Sequence, residues 1–296
     1  MIINSNRVNI QNIAESNQEF LELLIRSIDE PVIQGVKFPG FPPASIQSKY
    51  VGSSNEKALR AGYRFYKAVR EYCHLYHPLN PDSRILDFGC GWGRITRFFF
   101  NDVKSENVIG VDVDPDIIEF CKSDMHYGKW FVVNPVAPTK IWEKLFPYYR
   151  LKGNSFDLVF AHSVFSHLEE NVARLWIEEF SRLLRPEGLL IITTWGRTFL
   201  DRCESLRGED HQSSAHKNWA QAFISVEKAK EDYDQGKFLF EPTPDHEGGI
   251  LDKSFFGLSL IPRKYVEKEY TRYLKLLDFV DEKVKDPQAV FVMQKT

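Results

Sequence analysis

Cysteine is scarce in this chain of 296 residues: Cys73, Cys90, Cys121 and Cys203 stand far apart, with no CxxC pair. That scatter argues against a disulfide framework or a cysteine zinc site and points to a reduced, cytoplasmic chain. Long apolar runs are missing as well. The longest, such as residues 188–194, are strand-sized, far short of the ~18 residues a membrane-spanning helix needs. The opening MIINSNRVNIQN lacks a charged segment followed by an apolar one, so no signal peptide is expected. Nor is there an excess of one charge: Lys plus Arg is 38 and Asp plus Glu 41, a formal net charge of −3. A broad basic face for nucleic acid is therefore not expected. P-loop spacing (GxxxxGK[ST]) and HExxH are both absent, and the histidines have no compact metal-ligand spacing, so no metal is expected.

The chain is long enough for a full core, and 43% of its residues are hydrophobic. Residues 15–28 carry Phe20, Leu23, Leu24 and Ile28 at helical spacing, and residues 55–77 read as a second helix. Between them, residues 31–54 hold four prolines and read as an irregular connector. These first 80 residues are expected to form a helical cap segment. From residue 84 the pattern alternates. Strands are expected at 84–88, 107–111, 130–133, 156–161 and 188–194. Helices are expected at about 93–101, from Pro115, at 139–146 and at 171–184. Such alternation predicts an α/β fold with a mostly parallel, Rossmann-like sheet and helices on both faces. The alternation stops after Trp195. Residues 197–258 read as a polar insertion, helical near 217–232, long enough for a lid or substrate wall. A helix at 263–277 and a hairpin of strands at 279–285 and 289–294 close the chain.

The most informative segment is Asp87-Phe88-Gly89-Cys90-Gly91-Trp92-Gly93-Arg94, a glycine turn between a strand and a helix. Glycines let a backbone approach a ligand closely, and unpaired N–H groups at a helix start favour negative charge. Asp112 ends the next strand, 19 residues after Gly93, where a carboxylate can accept from both ribose hydroxyls. Two nucleoside ligands compete. The nicotinamide spacing GxGxxG fails because Arg94 holds its last position, and Asp87 would face a diphosphate. A carboxylate there suits a ligand with positive charge.

With these residues in place, the chain resembles class I S-adenosylmethionine-dependent methyltransferases. Asp87-x-Gly89-x-Gly91-x-Gly93 is similar to their first motif, and residues 108–115 to their second strand. Residues 155–168 are similar to their fourth strand and its following loop, and residues 183–194 to their fifth. The register covers about residues 82–196. The resemblance implies a seven-stranded sheet with the last strand antiparallel. It implies that the backbone of Gly89, Cys90, Gly91 and Gly93 cradles the methionine part of S-adenosyl-L-methionine and that Asp87 holds its amino group. Asp112 would bind the ribose, Val113 would lie beside the adenine, and Asn134, where the family often has Asp, would bond the adenine amine. His162 and Ser163 would face cofactor and acceptor. A finer resemblance, carried by residues 41–52 and 163–168, is to bacterial methyltransferases associated with glycosyltransferases and polysaccharide assembly. It implies that Gln47 and Tyr50 belong to a cap over the cofactor; simple packing of the N-terminal helices is the alternative.

A neutral hydroxyl acceptor needs a base, and His162 and His167 are the candidates. Asp210, His211, His216, Asp245 and His246 lie in the insertion, and Gly248-Gly249 is a candidate hinge. Trp92 and Trp195 are candidate stacking platforms for a sugar or flat acceptor. The function expected is methyl transfer to a small-molecule or glycan acceptor, on oxygen. A non-catalytic methyltransferase-like binding module is the alternative, and a nicotinamide oxidoreductase a weaker one.

Overall fold

The structure, a computed structural model, describes residues 9–134, 152–208, 214–242, 255–281 and 287–296. The chain divides into two compact units, Met1–Val133 and Asn134–Thr296.

In the first unit, the Ser16 hydroxyl accepts from the Glu19 N–H at 3.1 Å and caps α1 (Asn17–Arg26). The connector expected over 31–54 is more ordered than its prolines suggest. It holds β1 (Val32–Ile33) and β2 (Val36–Lys37), joined by Gln34 and Gly35 at φ +53° and +78°, as a two-residue hairpin requires. It also holds α2 (Ala44–Val51). Pro43 is the N-cap of α2, so the proline cluster stops where it would begin to cost hydrogen bonds. Helix α3 (Asn55–Tyr76) buries Leu59, Gly62, Tyr66, Val69 and Cys73, a stripe at helical spacing. The Tyr66 ring packs at 5.2 Å from Phe98 and 5.1 Å from Phe99.

Strands β3 (Ile85–Phe88), β4 (Val108–Asp112) and β5 (Lys129–Val132) pair in parallel. Asp114 caps α4 (Pro115–Asp124), whose first residue is proline as expected. The helix expected at 93–101 is corrected: a turn precedes a short 3-10 helix, Thr96–Phe100. Every residue from Thr96 to Phe100 is buried, leaving no solvent face for an amphipathic helix. The Arg97 side chain also takes the carbonyls of Trp92 and Gly93.

The second unit contains β6 (Phe156–Ala161), α5 (Glu170–Leu183) and β7 (Leu184–Thr194). Asp157, buried on β6, accepts two hydrogen bonds from Arg185 on β7, at 2.9 and 2.8 Å. The insertion is not structureless: it forms α6 (Arg197–Ser205), α7 (Ser214–Gln221), α8 (Val226–Asp234), β8 (Leu239–Pro242) and β9 (Gly257–Leu260). The single helix expected near 217–232 is broken, with Phe223 at φ +57°. Arg207 donates to the carbonyls of Ala222 and Phe223, and Ser225 caps α8. The long helix expected at 263–277 ends early: α9 (Arg263–Glu269) yields to a 3-10 turn and β10 (Lys275–Val280), paired with β11 (Ala289–Gln294). The helix expected at 139–146 lies outside the described residues.

The strand order is β3-β4-β5 in the first unit and β10-β11-β7-β6 in the second, seven strands in all. The pairs β3/β4, β4/β5 and β6/β7 are parallel, and β11 is antiparallel to both β7 and β10. This is the Rossmann-like fold with a reversed last strand that the sequence predicts. Among the described residues no helix is long and apolar enough to cross a membrane.

Candidate active site

The first unit holds the glycine loop. Gly89, Gly91 and Gly93 have φ of +77°, +49° and +73°, a region other residues enter only with strain. A Cβ on Gly93 would lie 2.6 Å from the Met125 methyl, and one on Gly91 would touch the Tyr50 ring at 3.4 Å. The backbone donors are already engaged. The N–H groups of Gly89 and Cys90 donate to the Val111 carbonyl at 2.8 and 3.0 Å, and that of Gly93 to Cys90 at 2.9 Å. The Gly91 N–H donates to Asp112 Oδ2 at 2.8 Å. The expected row of unpaired N–H groups at a helix start is thus corrected on both counts.

Two acids flank the loop. Asp87, at 2% exposure, accepts from Thr96 Oγ1 at 2.5 Å. Burial pushes its carboxyl up to about 7, against the opposing effect of that hydrogen bond and, more weakly, of Arg94. Asp112 ends β4, and its Oδ1 accepts the Asp114 N–H at 3.1 Å. Burial raises its pKa, while the N–H groups of Asp114, Gly91 and Val113 oppose the shift. Val113 is half-buried between Asp112 and Asp114 in the chain, and Cys90 is buried with its thiol 3.5 Å from the Gly91 carbonyl.

The two residues of the cap segment separate in role. Gln47, at 1% exposure, donates to the Pro42 carbonyl and to Asn55 Oδ1, and its Oε1 accepts the Asn55 N–H. It clasps α2 to the start of α3. Tyr50 instead lies on Gly91, and its hydroxyl donates to Asp114 Oδ2 at 2.5 Å. Trp92 is no stacking platform: it is 1% exposed, 4.7 Å from the Arg97 guanidinium carbon.

In the second unit, His162 and Ser163 follow β6, both half-buried, with Ser163 at φ +60°. A buried polar network that the sequence did not disclose holds this turn. The Ser163 N–H donates to Thr193 Oγ1 at 2.7 Å, and the Thr193 hydroxyl donates to Gln288 Oε1 at 2.6 Å. Gln288 Nε2 donates back to Ser163 Oγ at 3.0 Å. His167 Nδ1 donates to the Gly257 carbonyl at 2.8 Å, and its ring stacks on Phe256 at 5.0 Å. Strand β9 closes on the same loop: Gly257 and Ser259 N–H donate to the carbonyls of His167 and Ser166. Trp195 stacks on Phe199 at 4.1 Å, so that face is covered by protein. Asn134 is exposed after β5, and His216 packs 5.3 Å from Trp219. Asp210, His211, Asp245, His246 and the Gly248-Gly249 hinge lie outside the described residues.

Residues 85–188 match the model of a methyltransferase domain family. A solved S-adenosylmethionine-dependent methyltransferase from Clostridium acetobutylicum has the same fold, with a TM-score of 0.51 and 14% identity over 78% of this chain and 91% of that one. Residues 85–188 are thus similar to a methyltransferase domain. A malonyl-[acyl-carrier protein] O-methyltransferase of Paenibacillus sp. is 28% identical over 122 residues, 40% of this chain and 42% of that protein. An uncharacterized methyltransferase of Schizosaccharomyces pombe is 34% identical over 108 residues, 36% of this chain and 37% of that one. The chain spans less than half the length of these curated relatives. Within the methyltransferase domain, the donor set fits a cationic nucleoside: three left-handed glycines, a buried acid only partly offset by its neighbours, and a second acid closing the adjacent strand.

Proposed function

We propose that this protein transfers a methyl group from S-adenosylmethionine to an oxygen of a small-molecule or glycan acceptor. The observation that carries the reading is the left-handed glycine loop between Asp87 and Asp112. When bound, the cofactor supplies a methyl carbon already activated by its sulfonium. Asp87 offers negative charge to the cofactor's ammonium, and Asp112 exchanges its backbone donors for ribose hydroxyls. The Tyr50 ring walls the loop beside Gly91. Val113 and Asn134 are assigned to the adenine, and Ser163 to the cofactor side of the β6 turn, from their sequence positions.

Deprotonation of a hydroxyl acceptor falls to His162 or His167 in this reading. A carbonyl can only accept, so the bond to Gly257 puts the proton of neutral His167 on Nδ1 and leaves Nε2 as the basic nitrogen. The stacking and the carbonyl bond make His167 a holder of β9 as well, which favours His162 as the base. The O-methyltransferase among the relatives supports oxygen as the acceptor atom. The division into a cap over residues 1–80, a catalytic domain over 81–296 and a lid at 197–258 is part of the same proposal, as is a cytoplasmic location, supported by four buried, unpaired cysteines.

Titration calorimetry with S-adenosylmethionine tests the reading. Binding is expected in the wild type, and Asp112→Ala should weaken it by about 1–3 kcal/mol through lost hydrogen bonds to the ribose. No heat of binding at millimolar cofactor would refute it.

A further inference from the structure

Arg97 is a cation in an unusual setting. Its side chain is fully buried in the first unit, and among the described residues no carboxylate forms an ion pair with it. Its Nε donates to the Gly93 carbonyl at 3.1 Å, and its Nη2 to the carbonyls of Gly40 at 3.1 Å and Trp92 at 3.3 Å, with Met125 Sδ at 3.4 Å. The guanidinium lies 4.2 Å from the Phe41 ring centre and 4.7 Å from that of Trp92. Its Nη1 is buried without a hydrogen-bond partner. This cage of carbonyls and ring faces is neutral. It solvates a positive charge without cancelling it.

The position of that charge matters. Two of the three carbonyls belong to the glycine loop. The loop itself has little to offer an anion: the N–H groups of Gly89, Cys90, Gly91 and Gly93 all have acceptors, and a five-residue 3-10 helix follows in place of an α-helix. The methionine end of S-adenosylmethionine is a zwitterion, an ammonium beside a carboxylate. Asp87 answers the first. A nearby positive charge favours the second, and Arg97 carries one beneath the loop, held on the Trp92 and Gly93 carbonyls.

We infer that Arg97 is a positioning residue for the cofactor's α-carboxylate: it fixes the underside of the glycine loop through the Trp92 and Gly93 carbonyls and supplies the positive field that the carboxylate needs. This deepens the proposed function and rests on it. The claim is about the carboxylate alone, so it separates from a general role in folding. A buried arginine needed only for packing would affect every ligand of the loop alike.

The test is calorimetric binding of two probes, S-adenosylmethionine and decarboxylated S-adenosylmethionine, to the wild type, Arg97→Met and Arg97→Gln. Gln keeps donors for the carbonyls and removes the charge, so it serves where Met disrupts the loop. Expected is a wild type that prefers the carboxylated ligand about tenfold or more. Both variants should lose most of that preference by weakening S-adenosylmethionine selectively, with circular dichroism confirming the fold. Equal affinity of the wild type for both probes, or equal weakening of both by the charge-removing variants, overturns the inference. Failure of the wild type to bind either probe instead overturns the cofactor reading on which it stands.

Discussion

At the scale of single residues, the buried polar groups decide behaviour. Asp87 is held at about 7, above the 3.8 of an ordinary aspartate, because burial disfavours its charge. Its folded pKa is raised, so stability from this group is fully present below about pH 4 and is lost as pH rises toward 7. A cationic ligand reverses that preference by favouring the ionised form. Binding of S-adenosylmethionine should therefore release protons below about pH 7 and tighten as pH rises through that range. Calorimetry in buffers of different ionisation heat reads the proton count directly. Thr193 makes a second case. Replacing it with valine keeps the shape but removes the acceptor of the Ser163 N–H and the hydroxyl that donates to Gln288 Oε1. Losing a partner in a buried site costs about 1–3 kcal/mol, so Thr193→Val should lower stability measurably in urea titration. The glycines and both acids were legible in the sequence because their spacing is local. The Ser163–Thr193–Gln288 network was not, since its members are 30 and 95 residues apart and no local pattern joins them. Arg97 carried one overlooked signal, a cation embedded in the run Ile95-Thr96-Arg97-Phe98-Phe99-Phe100.

At the scale of elements, the core strands were the easiest to read. Strands β3, β4 and β6 are buried at every position, and continuous apolar runs between polar turns announce that. Gly110 in β4 shows why composition alone misleads. The Trp130 ring of neighbouring β5 lies across it, and a Cβ there would fall 2.3 Å from the ring. Gly110→Ala should cost about 1–3 kcal/mol by overpacking, with a drop in the thermal midpoint as the readout; an unchanged midpoint would show that Trp130 can move aside. The misread elements share a cause. The 3-10 helix at Thr96–Phe100, the break at Phe223 and the early end of α9 are all set by tertiary contacts or backbone turns that helical periodicity does not record. The opposite error befell α2, where prolines outside the helix masked eight helical residues. His167 belongs to this scale too. It ties the loop after β6 to β9, so His167→Ala should loosen β9 and raise amide exchange at Gly257 and Ser259, whether or not the ring takes a proton.

At the scale of the whole molecule, the seven mostly parallel strands and the antiparallel β11 follow from alternation and a closing hairpin, and both were legible. Function was legible only as far as the proposed cofactor, because the residues assigned to it sit on the glycine loop and two strand ends. Acceptor chemistry was not, since the insertion after Trp195 owes its form to long-range packing of Phe199, Leu200, Phe223, Val226 and Leu258. The central claim is that the crevice between Asp87 and Asp112 receives a cationic thioether nucleoside. A crystal structure grown with S-adenosylhomocysteine tests it most directly. The account predicts ribose hydroxyls on the Asp112 carboxylate and the amino group near Asp87, with the loop glycines still left-handed. Density for the ligand elsewhere, or none at the loop at saturating ligand, would contradict it.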